Sequence, residues 1–417
     1  MSITIPKVSL WRIAYTFLAI GLASFSLASL GEAKYWMTKK RKWFSDEAYM
    51  QGLGLVQLLP GATTVNLLSY LGFRMRGLPG AATATAFFLM PCFLLMLLLS
   101  HLYFQYGDMP LVSGLFRGLG ALVVGLVFNT VLNLWQSGVK TPFNWLMALA
   151  GFAMVFWLKM GIMSILLITG CAGILMAFFT FRFPAVSRRL KSWSSPVKNL
   201  AVSRDTGIVK RQNAVDSSLN WRRFVLLGFW LILILAVDIA LIHLEPELMR
   251  MGVCFLQIGA MTFGSGYAML PFIQDSVVNQ FGWLSNQQFT VALALSLITP
   301  GPVTIISAFI GYKVAGVTGA LAGMVSMYYP AWALTTLVAT PYARLGQIEY
   351  VKQVIDGIVA AFIGTLVVVL IKISTDMLVD IPTMAMAAVA FILQRFSGID
   401  TVWIVLGGAV VSLAVFH

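Results

Sequence analysis

Long stretches without charge alternate with short polar interruptions from Trp11 to the C-terminus. The hydrocarbon core of a bilayer takes roughly 20 mostly apolar helical residues to cross. By that measure the candidate spans are 11–31, 48–72, 79–103, 113–136, 142–158, 161–180, 223–243, 250–274, 290–311, 316–340, 352–373, 377–394 and 400–416. Runs such as FFLMPCFLLMLLL (87–99) are apolar on every face, whereas a membrane strand alternates over about ten residues, so the spans read as helices. The pattern predicts an all-α polytopic membrane protein.

Composition agrees: 59% of the 417 residues are apolar and 10% charged, with a mean hydropathy of +0.88. The net charge of +13 would suit a nucleic-acid binder if it were spread over a surface, but it is local. Arg182, Arg188, Arg189, Lys191, Lys198, Arg204, Lys210, Arg211, Arg222 and Arg223 face only Asp205 and Asp216, among prolines and serines. That composition is a polar linker, which the positive-inside rule places in the cytoplasm. Contact with membrane lipids is a secondary reading for this linker, and nucleic-acid binding is disfavoured.

The chain contains its own copy. Gly21, Phe25, Trp43, Ser45, Pro60, Gly61, Thr64, Gly72, Arg74, Gly77, Gly80, Ala81, Pro91, Gly118 and Gly125 recur as Gly259, Phe263, Trp283, Ser285, Pro300, Gly301, Thr304, Gly311, Lys313, Gly316, Gly319, Ala320, Pro330, Gly357 and Gly364. Matches in Leu or Ala arise by chance, but ordered Pro, Gly and Trp fix backbone shape and point to duplication. The match at Gly21 and Phe25 also argues against reading the basic, apolar N-terminus as a cleaved signal. The segments follow as a first repeat (1–136), connecting helices (137–181), a basic cytoplasmic linker (182–222), a connecting helix (223–249), a second repeat (250–373) and C-terminal helices (374–417).

Duplicated halves with interrupted helices are how many secondary transporters build a substrate site near the bilayer midplane. LVQLLPGATTVNLLSYLG carries Pro60-Gly61 at its centre, and LSLITPGPVTIISAFIG carries Pro300-Gly301-Pro302 at the same point. Each arm is about eleven residues, too short at 1.5 Å per residue to cross alone. A break starts a new half-helix whose bare N–H groups attract anions. Thr63, Thr64 and Asn66 in the first copy and Thr304 in the second offer polar groups in its first turns; the competing reading is a proline kink in a packed helix. Beyond each break lies a cation in a glycine frame, Arg74 and Lys313, which either recruits anions or snorkels to the interface. Arg117 and Asp356 precede the matched Gly118 and Gly357 and are candidates for a charge pair or proton route between the halves.

Several chemistries lack a foothold. Cys92, Cys171 and Cys254 lie inside spans without metal-ligand spacing, so neither disulfide nor zinc is expected. There is no GxxxxGK[ST] loop and no HExxH, which leaves ATP hydrolysis and metalloprotease action without a motif. No cofactor is expected, and with three histidines and few acids inside spans an embedded enzyme is disfavoured. An anion channel is the rival to a carrier.

The runs GLVQLLPGATTVNLLSYLGFRMRG, FGSGYAMLPFI and TPGPV followed by GYKVAGVTGA resemble the chromate transporter family in its long, two-domain form. The resemblance covers roughly 14–136 and 250–373 and implies an inner-membrane carrier that expels chromate, driven by an ion gradient, with both halves lining the path. Sulfate is the next oxyanion it leaves open, and a homodimer is a further expected association. Where the family carries Phe-Gly-Gly-Pro, the first half reads FSLASLG from Phe25, while the second keeps Phe263-Gly264-Ser265-Gly266; Gly264, Ser265 and Gly266 join the substrate-site candidates. The first break also ends in Ala62 where the family has proline.

Topology stays open at this level. If 48–72 crosses, the Lys34–Lys42 loop lies opposite Arg74 and Arg76, against the charge rule; if it dips in and returns, both lie on one side. With 11–31 crossing, the re-entrant version gives three crossings per repeat and parallel halves, whereas the resemblance suggests inverted ones.

Overall fold

A computed structural model describes residues 8–24, 29–57, 59–107, 109–182, 246–261, 263, 266–338, 349–397 and 399–416, and the regular elements among them are all helices. In the first half these are α1 (Leu10–Ala23), α2 (Ser29–Lys34, running into a π-helical turn Tyr35–Lys40), α3 (Asp46–Val56), α4 (Thr63–Tyr106), α5 (Pro110–Gly138), α6 (Pro142–Phe156) and α7 (Ile162–Arg182). In the second they are α8 (Pro246–Met261), α9 (Leu270–Gln274, after a 3₁₀ turn Gly266–Met269 and before a π-helical turn Asp275–Gln280), α10 (Asn286–Ile298), α11 (Ile306–Val338, after a 3₁₀ turn Val303–Ile305), α12 (Glu349–Met377), α13 (Ile381–Ile392) and α14 (Thr401–Val415).

The halves match helix for helix, and their special backbone positions match too. Ser45 and Ser285 cap α3 and α10 by accepting from Ala48 N–H and Gln288 N–H, which is the local job of that repeated serine. Long α4 is broken at Arg76 (φ −145°) and Gly77 (φ +67°), and α11 at Ala315 (φ −147°) and Gly316 (φ +60°). Only glycine takes this left-handed geometry freely. The correspondence runs past residues 136 and 373, since Thr141 and Asp380 cap α6 and α13 in the same register.

Both interrupted segments of the first half fold back on themselves. Gly52 in α3 packs on the ring of Tyr70 in α4; in one broken rod these residues would lie roughly 27 Å apart. The span expected over 11–31 also returns: α1 stops at Ala23, and Arg41 lies 6.0 Å from the ring of Tyr15. In the second half Trp283 Nε1 donates to Glu247 Oε2 at 3.0 Å, so the segment expected as a span over 250–274 is likewise a hairpin. Asp46 joins the bases of the first two hairpins through Lys34 (3.7 Å) and Lys39 (3.3 Å).

The halves are inverted. Residues 78–106 of α4 start at the base of the first half's hairpins. Farther along, Cys92 lies against Gly301, at the tip of the second half's hairpin, and Phe104 lies under Lys313, at its base, with Nζ 5.1 Å from the ring. The two hairpin bases therefore stand at opposite ends of one helix, roughly 39 Å apart. Each half folds back twice at its own end; α4, α5, α11 and α12 are long and apolar enough to cross a bilayer, and two shorter apolar helices follow in each half. Lys34–Lys42 then share an end with Arg74 and Arg76, as the charge rule requires, and inversion and charge agree because 11–31 folds back as well. The span expected at 223–243 and the linker at 182–222 lie outside the described residues, apart from Arg182.

Packing interlocks the halves. Gly125 of α5 sits on the Ala387 carbonyl of α13, and its counterpart Gly364 of α12 sits on the Ala148 carbonyl of α6. The helices expected as connectors thus pack on the opposite repeat. A side chain at either glycine would push these backbones apart. Exposed Trp145, Leu149, Phe156, Ile174, Val410 and Trp403 form part of the apolar outer surface, as a lipid-facing wall requires.

Candidate functional site

The two breaks come together as a pseudo-symmetric pair. Gly61 adopts φ +104° and packs on Ala331 of α11; Gly301 adopts φ +129° and packs on Cys92 of α4. Gly61 matches Gly301 and Cys92 matches Ala331, so each tip rests on the long helix of the other half. A β-carbon at either glycine would come within 2.9 Å of its seat. Contact of this kind needs glycine both for its φ and for the missing side chain.

The first tip is held open by one amide. Asn66 is fully buried, and its Nδ2 donates to Pro60 O at 3.0 Å across the break while its Oδ1 has no partner among the described residues. The half-helix begins at Thr63, behind the extended Ala62, and Thr63 and Thr64 are half-buried beside it. Three polar atoms on one face of α11 also lack partners among the described residues: Tyr329 OH, Trp332 Nε1 and Thr335 Oγ1. Thr335 lies one turn beyond Ala331, the seat of Gly61. An unpaired buried polar group costs about 1–3 kcal/mol, so a cluster of them calls for a ligand or water to complete it.

The second tip is closed by its own chain. Gly301 N–H donates to Ser24 O at 2.6 Å, and the buried Thr304 hydroxyl shares a 2.8 Å hydrogen bond with Tyr328 OH. Pro300 and Pro302 have no N–H to offer. Gly266 lies at this tip, a β-carbon's contact (3.4 Å) from Thr304 Cγ2. Gly264 and Ser265 lie outside the described residues.

The cations stand elsewhere. Arg74 and Lys313 are exposed at hairpin bases, roughly 20 Å of helix from the tips. Arg74 Nη1 donates to Tyr70 OH at 2.9 Å, and Lys313 covers Phe104. They border the approaches and not the tips. Arg117 and Asp356 are not brought together: Gly120 touches Met377 while Gly138 touches Ile363, so α5 and α12 run antiparallel and put these residues at opposite ends. Arg117 pairs with Asp380 instead. Asp380 also accepts from the Thr383 hydroxyl and backbone N–H, and these bonds, with the Arg117 charge, hold its carboxyl below the usual value.

Ser24, Tyr328, Tyr329, Trp332, Thr335 and Asp380 were not singled out by sequence. The stretch YYPAWALTT (328–336) carried a signal in its polar atoms at three-residue spacing around Pro330, although aromatic residues in an apolar span ordinarily read as packing. Among the described residues no cluster of His, Cys, Asp and Glu could hold a metal.

Comparison with known proteins fits this architecture. A profile described as "Chromate transporter" matches residues 11–176 and 249–413, one match per seven-helix half. A "Chromate transport protein" of Cupriavidus metallidurans is 28% identical over 99% of this chain and 95% of its own length. A "Probable chromate transport protein" of Synechococcus elongatus is 30% identical over 93% of this chain and 90% of its own, and a "Chromate transport protein" of Pseudomonas aeruginosa is 25% identical over 99% and 94%. No solved structure matches. With both halves matched and relatives aligned from end to end, this multi-pass membrane protein belongs to the chromate transporter family.

Proposed function

We propose that the chain is a secondary active carrier in the cell inner membrane that expels chromate by alternating access, driven by the proton gradient. The substrate reading rests on the names of the full-length relatives. The mechanistic reading rests on one observation: each broken tip is seated on the long helix of the opposite half, Gly61 on Ala331 and Gly301 on Cys92. Any rocking of one half against the other changes both seats together, which is the coupling alternating access needs.

In this reading the oxyanion sits at the tips with the half-helix N–H groups. Arg74 and Lys313 raise its concentration at the two mouths. Coupling runs through charges at the ends of the α5–α12 pair, Arg117 with Asp380 at one and Asp356 at the other. Sulfate is the competing tetrahedral substrate, lipid surrounds the outer helices, and two copies associate as a homodimer.

Radiolabelled chromate and sulfate flux into proteoliposomes, with and without an imposed pH gradient, tests this. Chromate flux that requires the gradient is the expected result, falling up to about tenfold at low substrate in Lys313→Ala as recruitment is lost. Flux indifferent to the gradient would make the protein a channel, and absence of flux for both ions would remove the oxyanion reading.

A further inference from the structure

The duplication offers two equivalent tips, yet their surroundings differ in chemistry. At the second tip the groups that would greet an anion are spent: Gly301 N–H on Ser24 O and Thr304 on Tyr328. Two hydroxyls there, Ser24 and Ser307, lack partners among the described residues, but a serine hydroxyl, like that of Thr335, can rotate onto a nearby backbone carbonyl, so the contrast between the tips rests on Tyr329 and Trp332. The helix on which the first tip is seated carries Tyr329 OH, Trp332 Nε1 and Thr335 Oγ1 without partners among the described residues, Thr335 one turn from the Ala331 seat, and Asn66 Oδ1 lies beside Gly61. An indole N–H is a donor only and has no such local outlet. The residues of the first half that match 329, 332 and 335 are Met90, Phe93 and Met96, so the donor face exists once.

We propose that the transporter holds a single oxyanion per chain, at the Pro60–Gly61 tip, and that Tyr329, Trp332 and Thr335 of α11 supply its hydrogen bonds. This rests on the oxyanion-carrier reading and says which of the two tips does the binding. Three neutral donors spread along one helix face can meet several oxygens of a tetrahedral dianion without adding a buried charge that would have to be neutralised when the site is empty. Each donor returns to an unsatisfied state on release, which keeps the bound state from becoming too deep for turnover. Ala62 in place of a second proline adds a backbone N–H that the Pro302 side lacks. Asn66 holds the break open through Pro60 and acts as a positioning residue.

Isothermal titration of the purified full chain with sodium chromate, and in parallel with sodium sulfate, provides the test. The native protein binds one oxyanion per chain; Trp332→Phe keeps the ring, removes the donor and weakens binding about 10- to 100-fold with an unchanged melting temperature. Thr335→Val, a near-isosteric loss of a hydroxyl, repeats the readout should the Phe variant fold poorly. Two bound ions per chain, or native affinity in both folded variants, would overturn the single-site assignment while leaving the oxyanion carrier intact. Absence of binding by native protein to either ion would overturn the carrier reading and this assignment with it.

Discussion

The first and second hairpin tips share a backbone and differ in everything that backbone presents. Gly61 and Gly301 take the same left-handed turn and rest on matching positions of α11 and α4. The seat of the first, α11, carries Tyr329, Trp332 and Thr335 without partners among the described residues, whereas at the second Gly301 N–H and Thr304 are bonded and only the Ser24 and Ser307 hydroxyls are not. Duplication thus preserved what fixes shape, glycine at positive φ and the close seat beneath it, and released the residues that face the space. A pseudo-symmetric frame supplies the two-sided motion; asymmetric lining supplies one site within it.

The largest effect expected from this comparison is one of sidedness. Lys40 ends the π-helical turn of the first half and Gln280 ends its counterpart. Single cysteines placed there on a background lacking the native three should react with a membrane-impermeant maleimide from opposite faces, Lys40→Cys from the cytoplasm and Gln280→Cys from outside. Labelling of both from one face would make the halves parallel and end the inverted account.

Next in size is the price of a methyl group at each tip. Gly61→Ala combines a left-handed alanine with a clash 2.9 Å from the Ala331 β-carbon, together about 2–4 kcal/mol. Gly301→Ala meets Cys92 at the same distance and should lower the melting temperature by a similar amount, because the backbones are equivalent. Adding Ala331→Gly to Gly61→Ala relieves the clash but not the φ strain, so it should recover part of the loss. A large stability difference between the two single variants would show that the tips are not the structural pair described.

These tests bear on what could be read beforehand. The breaks were legible because Pro60-Gly61 and Pro300-Gly301-Pro302 disrupt helix chemically, wherever they sit. The fold-back after Ala23 was not: the second half keeps Gly264 and Gly266 at this place, but the first half reads FSLASLG, without proline or an early glycine. What the two halves share there is packing, Gly21 on the Phe88 carbonyl of α4 and Gly259 on the Met327 carbonyl of α11. The exchange of α6 and α13 between halves was hidden for a similar reason. Apolar helices carry no address, and only the caps at Thr141 and Asp380 mark the register. Arg117 and Asp356 looked like partners because repeat position implies equivalence; inversion turns equivalence into opposition and sends them to opposite ends.

The smallest expected effect lies at that last contrast, where Arg117 meets Asp380 and the equivalent pair of positions holds Asp356 and Thr141. Asp380 both caps α13 and pairs with Arg117, and both side chains are partly exposed. Exposed ion pairs contribute little, whereas caps are worth more. Asp380→Ala, which loses cap and charge, should therefore lower the melting temperature more than Asp380→Asn, which retains a capping oxygen. The pH dependence has a definite sign. The folded carboxyl titrates below its ordinary value of 3.8, chiefly through its Thr383 bonds, so the folded state binds fewer protons than the unfolded one. Its stabilisation is complete above that ordinary value and disappears as pH falls through the depressed one. The gap in melting temperature between native protein and Asp380→Asn should hence be constant from neutral pH down to about 5 and close only in stronger acid. A gap that closes near neutrality would mean that a different group governs this end of the molecule, and the cap-and-pair account of Asp380 would have to be abandoned.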